Sequence, residues 1–314
     1  MSIFSNILLQ FLDKNLKHES NMKDEIKFEE YNTVQIGKFN GIYKSSPNNC
    51  YFFAYDGYEK RIVAFTKSKV LYSCDKTIEG INTVCISNNG TALFTCPPKM
   101  RSFYGCTLYV YDSNGNALFE YKLKSNVFSI GISNDGNFCC CQTANSDDEN
   151  SRNYMFIFSI PEKKALLKFS PLSGWANEYE FTNDNQVIIL KYKNSTTACH
   201  KYRYKINGEF VDLKLWESEI TGVTALFRAE YLLKDNTSFS QEKCNLIQDL
   251  LNRGNFPDMS SDYKAMSLKL QGVLYYNCKK YDEAESCFFK AIKFNEKVGV
   301  KRYLNKIKKI NNGK

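Results

Sequence analysis

Only two histidines, His18 and His200, are available for general acid–base work in a chain of 314 residues. A Ser/His/Asp or Cys/His site would have to be built on one of them, because an imidazole is the base that activates the hydroxyl or thiol. His18 lies in a polar N-terminal segment and His200 beside a strand-like run, and neither has a nucleophile or carboxylate partner nearby in sequence. Both read as surface or strand histidines. The acidic group Asp147-Asp148-Glu149 offers carboxylate oxygens to a cation, but it lacks the alternating spacing and glycine of a calcium loop. It reads as a solvated hairpin tip able to contact a basic partner. Twelve cysteines contain no Cys-x-x-Cys pair and no zinc-type Cys/His spacing. Cys139, Cys140 and Cys141 would alternate faces on a strand, and most of the others fall in apolar runs, where free cysteine behaves as a small hydrophobe. No phosphate-binding Gly-x-x-x-x-Gly-Lys-[Ser/Thr] or Gly-x-Gly-x-x-Gly loop is present. The chain is therefore expected to hold no metal and no cofactor, and to be no enzyme.

Basic residues are the other reactive resource. In Lys201-Tyr202-Arg203-Tyr204-Lys205, strand alternation puts the tyrosines on one face and the cations on the other. That arrangement suits a core face backed by solvent better than a base-stacking groove, which needs both groups together. From Lys290 to Lys314 nine basic residues face one acid, Glu296, so this stretch carries the whole net charge of +8. A basic last helix complements its own dipole and keeps the end of a helical array soluble. It also offers contacts to nucleic acid, of which Lys301, Arg302, Lys308 and Lys309 are the candidates.

The elements that must position these residues fall into two kinds. From Glu25 to Trp216 a turn followed by an apolar strand recurs four times, at Ser46-Pro-Asn-Asn-Cys, Ser87-Asn-Asn-Gly, Ser133-Asn-Asp-Gly and Thr182-Asn-Asp-Asn. Each is followed by a hairpin: Ile62 to Tyr72, Leu108 to Tyr121, Met155 to Phe169 and Tyr202 to Leu213. Asn114-Gly115 and Asn207-Gly208 are the pairs preferred in tight hairpin turns. The spacing is close to the ~40–50 residues of a propeller blade. Tyr109-Val110-Tyr111-Asp112 stands where the Trp-Asp signature of a WD repeat would fall. The region thus resembles a divergent WD-repeat-like β-propeller with about four recognisable blades. Ring closure would draw extra strands from Glu25 to Phe39 or from Val211 to Trp216, unless the ring is incomplete and helices cover its edge.

The C-terminal third changes period. Ser240 opens a helix through Leu251, stopped by Gly254 and Pro257; Ser260 or Ser261 caps the next; Tyr281-Asp282-Glu283 opens another; and Val300, Tyr303, Leu304, Ile307 and Ile310 mark a last amphipathic helix. Val223 to Leu233 supplies one more. Within this region Leu268-x-x-Gln271-Gly272-x-x-Tyr275, Tyr281, Ala284-x-x-x-Phe288 and Ala291 resemble one tetratricopeptide repeat, with Gln271 in place of the family's usual leucine. Gly272 and Ala284 fall where two helices cross, and Tyr275 and Phe288 fill the wedge beside them.

The resulting expectation is a multidomain chain: an N-terminal amphipathic segment over residues 1–24, an all-β propeller-like domain over 25–216 and an all-α helical domain over 217–314. The first segment, with Phe4, Ile7, Leu8, Phe11 and Leu12, lacks a basic start and a cleavage site, so it reads as a docked helix rather than a signal peptide. No apolar run is long enough to span a membrane. The thiols fit a reducing cytoplasm. The resemblances imply a scaffold that binds protein partners, with Lys264, Lys269, Asn277 and Lys301 as candidate groove residues and nucleic acid as the alternative ligand of residues 290–314.

Overall fold

The computed structural model describes residues 25–57, 60–74, 80–98, 105–193, 199–235 and 239–312. The N-terminal amphipathic segment and His18 lie outside the described residues. Two compact units part between Asp212 and Leu213.

The first unit consists of strands. β1 (Ile26–Phe28), β2 (Thr33–Ile36), β3 (Phe39–Ser45), β4 (Phe52–Asp56), β5 (Arg61–Phe65) and β6 (Val70–Cys74) form one sheet in that order. β7 (Thr83–Ile86), β8 (Ala92–Cys96), β9 (Cys106–Tyr111) and β10 (Ala117–Leu123) form a second. β11 (Val127–Ile132), β12 (Phe138–Thr143), β13 (Met155–Ser159) and β14 (Lys164–Phe169) form a third, and β15 (Glu178–Phe181), β16 (Val187–Lys193) and β17 (Cys199–Lys205) a fourth. Each is an antiparallel meander in sequence order. β7 packs against β3 and β11, and β11 against β15, so the four strands that lead into the repeated turns lie side by side, one from each sheet.

This stacking explains why the strands read as apolar runs rather than clean alternations. β8 gives Ala92 and Phe94 to a cluster with Phe53, Ile62 and Tyr72 of the first sheet. Its Leu93 points the other way, toward Cys139, Cys141 and Phe158 of the third. A strand covered on both faces needs apolar residues at consecutive positions. Cys139, Cys140 and Cys141 are all fully buried for the same reason, and burial pushes their thiols up. Strands do form between Glu25 and Phe39, where they extend the first sheet.

The fourth hairpin departs from expectation. After β17 the chain returns through Asn207-Gly208, but it adds only a bridge from Phe210 to Tyr204. Asp212 ends the pairing: its carboxylate accepts hydrogen bonds from the Arg203 backbone at 2.8 Å and from its guanidinium at 2.6 Å. Val211 to Trp216 supplies no strand, because a helix begins at Leu213; Trp216 on it and Ile220 just after its end are buried one turn apart.

The second unit holds α1 (Leu213–Glu219), α2 (Gly222–Lys234), α3 (Gln241–Arg253), α4 (Ser261–Asn277), α5 (Tyr281–Phe294) and α6 (Lys301–Asn312). Ser240 and Ser260 are the N-caps of α3 and α4, accepting the N–H groups of Lys243 and Tyr263. α2 pairs with α3 and α4 with α5, and α4 packs against both members of the preceding pair. Between α4 and α5 the Phe288 ring lies against Gly272, only 2.5 Å from where a Cβ would stand. Ala284 is buried beside it, and Tyr275 is half-buried at the edge of the cluster. α6 closes that cluster with Val300, Leu304 and Ile307.

Candidate functional site

The four repeated turns share one hydrogen-bonding plan. Each opens with a hydroxyl residue: Ser46, Ser87, Ser133 or Thr182. Two residues on comes Asn48, Asn89, Asp135 or Asp184. That side-chain oxygen accepts a backbone N–H from Cys50 (3.1 Å), Thr91 (3.0 Å), Asn137 (3.0 Å) or Gln186 (3.1 Å). In three turns the opening hydroxyl oxygen accepts the next N–H, from Tyr51 (3.0 Å), Phe138 (2.9 Å) or Val187 (3.2 Å), whereas Ser87 shares the Thr91 N–H (3.0 Å) with Asn89. The fourth residue is left-handed in every case: Asn49, Gly90, Gly136 and Asn185 have φ between 56° and 85°. Asn and Gly tolerate that conformation, which is why the motif is visible in sequence.

The turns are also bonded to one another. The Asn48 N–H donates to the Asn88 side chain at 2.9 Å. The Asn88 N–H donates to the Asn134 carbonyl at 2.9 Å, and the Asn89 amide to the Asp135 carbonyl at 2.6 Å. The Asn185 amide donates to the Asp135 carboxylate at 2.7 Å. Gly136 stands so close to the second turn that a Cβ would lie 2.6 Å from the Asn89 side-chain oxygen. Asp135 is the hub. Burial pushes its carboxyl up, but hydrogen bonds from Ser133, Asn137 and Asn185 outweigh this and hold it below its ordinary value. The result is one continuous polar face made of four tethered turns.

Beside this face a cleft of about 400 Å³ opens between the second and third sheets, lined by Asn89, Thr91, Ser113, Leu118, Asn137 and Lys163. Its chemistry is that of amides, hydroxyls, the Asp112 carboxylate and one ammonium, suited to hydrogen-bonding a polar segment. Asp112, the residue at the WD-like position, spends its carboxylate on the Asn114-Gly115 turn, accepting from the N–H groups of Asn114 and Asn116 at 2.8 Å each. At the opposite end of β11, Phe128 and Trp175 form an exposed ring pair 6.1 Å apart.

The other candidate groups are placed as follows. His200 is half-buried on β17, opposite Tyr192, with its ring 6.4 Å from that of Tyr202. Tyr202 and Tyr204 are buried while Lys201, Arg203 and Lys205 are exposed, as the alternation requires. Asp148 accepts the Asn150 N–H at 2.9 Å and pairs with Lys124 at 3.6 Å, and Glu149 pairs with Arg152. Among the described residues no three His, Cys, Asp or Glu side chains gather to hold a metal.

In the helical unit Lys264, Lys269 and Asn277 on α4 are half-buried, whereas Lys301 on α6 is exposed. The Lys269 Nζ reaches the α5–α6 turn, 3.7 Å from where a Cβ on Gly299 would stand, so it approaches the segment that leads into Lys301. Lys264 and Asn277 lie elsewhere along α4. Lys290, Lys293, Lys297, Lys301, Arg302, Lys306, Lys308 and Lys309 are all exposed. Among the described residues none of these eight pairs with a carboxylate. Phe289 and Phe294 stand exposed beside Lys290 and Lys293 on α5.

Sequence reasoning identified the turns but missed their mutual bonding and the cleft. It also missed a buried ion pair in which Arg228 on α2 donates to Glu217 on α1 at 2.5 Å. No known protein-family model matches the chain, and no curated protein matches it.

Proposed function

We propose that this chain is a non-enzymatic protein-interaction adaptor, with a WD-repeat-like propeller as its first unit and tetratricopeptide-like hairpins as its second. The observation that carries the reading is the stacking of α2–α3 and α4–α5, with Phe288 seated on Gly272 at the crossing. Stacked helical hairpins expose extended faces lined by repeated helices, and such faces hold partner segments. Lys269, which reaches the α5–α6 turn, and exposed Lys301, two residues beyond Gly299, would meet an acidic partner there. The tethered turn face and its adjoining cleft would hold a second polar element. Affinity capture from cells tests this directly. Full-length protein should retain protein partners that the folded double variant Lys269→Glu/Lys301→Glu releases. Equal recovery by both forms, and by a chain lacking residues 213–314, would refute the helical groove.

A second reading rests on the eight exposed, unpaired cations between Lys290 and Lys309. A polyanion such as nucleic acid would neutralise them, and Phe289 and Phe294 would offer stacking surfaces. Binding to single-stranded RNA should then weaken steeply with salt and vanish on charge reversal at Lys301, Arg302, Lys308 and Lys309. No retention at low salt would remove this reading.

A further inference from the structure

The contact between α3 and α4 contains two thiols that the adaptor reading does not use. Cys244 lies in the first turn of α3 and Cys278 ends α4. They are 34 residues apart in sequence, yet their Sγ atoms are 3.4 Å apart. Both are half-buried, as is Cys85, whereas Cys74, Cys96, Cys106, Cys139, Cys140, Cys141 and Cys287 are buried. One turn along α3 from Cys244, Gln248 and Gln271 exchange two amide hydrogen bonds, of 2.9 and 2.7 Å. This reciprocal pair fixes the two helices against sliding. The thiols therefore meet because of helix register and not because of one loose side chain. It also accounts for glutamine at position 271, where the repeat pattern favours leucine.

We propose that Cys244 and Cys278 form a reversible disulfide that staples the start of α3 to the end of α4 when the surrounding thiol pool becomes oxidising. The sulfurs must close by about 1.4 Å to reach the ~2.05 Å bond length. A low-molecular-weight disulfide such as oxidised glutathione is the oxidant. One protein thiolate attacks a sulfur of that disulfide, forming a mixed disulfide and expelling one small thiolate. The second protein thiolate then attacks the protein sulfur of the mixed disulfide, closing the Cys244–Cys278 bond and expelling the second small thiolate. Two protein thiols lose two electrons and two protons, and the oxidant's single S–S bond takes them up as two thiols. Burial and the adjacent Cys244 push the Cys278 thiol up to about 11, against the pull of Lys280. Cys278 thus has a small thiolate fraction and suits the second step, where proximity compensates for it.

The staple would tie the first helical hairpin to the second and so fix the face they share. In the chain-entropy view, closing a loop of this length raises the stability of the helical unit and, by linkage, makes the disulfide on the order of 10²-fold more favourable in the folded chain than in the unfolded one. The test is full-length protein equilibrated with reduced and oxidised glutathione at set ratios, quenched in acid, alkylated after unfolding and mapped by peptide mass. The expected product is one internal Cys244–Cys278 link, formed at ratios on the order of 10² less oxidising than in urea. It should raise the melting temperature of the helical unit by on the order of 10 °C. Cys278→Ser should stop at a glutathione adduct on Cys244, and Cys244→Ser at one on Cys278. The proposal is overturned if both thiols stay fully alkylatable under oxidising conditions, if the link forms no more readily in the folded chain than in urea, or if exposed Cys50 is the only site modified.

Discussion

Gly272→Ala sets two opposing effects against each other at the α4–α5 crossing. Alanine in a helix interior is favoured over glycine by about 1 kcal/mol. The new Cβ, however, would lie 2.5, 2.7 and 3.1 Å from three carbons of the Phe288 ring. That ring is fully buried, stacks on Tyr303 at 5.3 Å and is walled by Val273, Val300, Leu304 and Ile307. It cannot retreat, and overpacking of this kind costs about 1–3 kcal/mol. The crowding wins, and Gly272→Ala should destabilise the helical unit by about 1 kcal/mol. Phe288→Leu removes the crowding, so in that background the same alanine should stabilise by up to about 1 kcal/mol. The coupling between the two substitutions is then about 2 kcal/mol, within the range for residues in contact. Urea unfolding followed by fluorescence resolves the two units, because Trp216 is buried in the helical one and Trp175 belongs to the sheet one. Only the Trp216 transition should move. Additive effects within about 0.3 kcal/mol, or stabilisation by alanine in the wild-type background, would mean that Phe288 does not rest on Gly272.

Other outcomes follow from the same contacts. Asp135→Ala removes the carboxylate acceptor of Ser133, Asn137 and Asn185, and, because this carboxylate is solvent-exposed, should cost the sheet unit about 1–2 kcal/mol in denaturant melts. Because the folded carboxyl of Asp135 is held low, its contribution is complete above the unfolded value of ~3.9 and disappears as pH falls through the lowered folded value. The acid limb of a stability–pH curve should accordingly be shallower in Asp135→Ala than in wild type. Lys279 occupies the left-handed position after α4 with φ 60°, where the Lys280 N–H donates to the Tyr275 carbonyl at 2.9 Å. Lys279→Gly should raise stability by about 0.5–1 kcal/mol in thermal or urea unfolding. Arg228→Met strands Glu217 as a buried charge and should cost about 3–5 kcal/mol, most of it recovered by adding Glu217→Leu.

What could be read from sequence was local chemistry. The turns at Ser46, Ser87, Ser133 and Thr182 announce themselves because left-handed backbone selects Asn or Gly and orphan N–H groups select Ser, Thr, Asn or Asp. Ser240 and Ser260 mark helix starts for the same reason. Gly272 and Ala284 were legible as the small residues of a helix crossing and Phe288 as a filler of the wedge beside it, but not that the Phe288 ring lies on Gly272 itself. What escaped was whatever depends on distance in three dimensions. Asn185 and Asp135 are 50 residues apart, and nothing in either turn says that one donates to the other. Glu217 and Arg228 look like surface charges until both are seen buried. Val211 to Trp216 alternates like a strand, yet burial of Trp216 and Ile220 one turn apart, after Asp212 has bound Arg203, makes its end helical.

The adaptor reading is tested most directly by lysine cross-linking of the full-length protein in cells, with the linked peptides read by mass spectrometry. The expected result is a recurring set of links from Lys269, Lys290, Lys293 or Lys301 to lysines of other proteins, unchanged by nuclease and lost in Lys269→Glu/Lys301→Glu. Links confined to the chain itself, or partners that disappear on nuclease treatment, would contradict it.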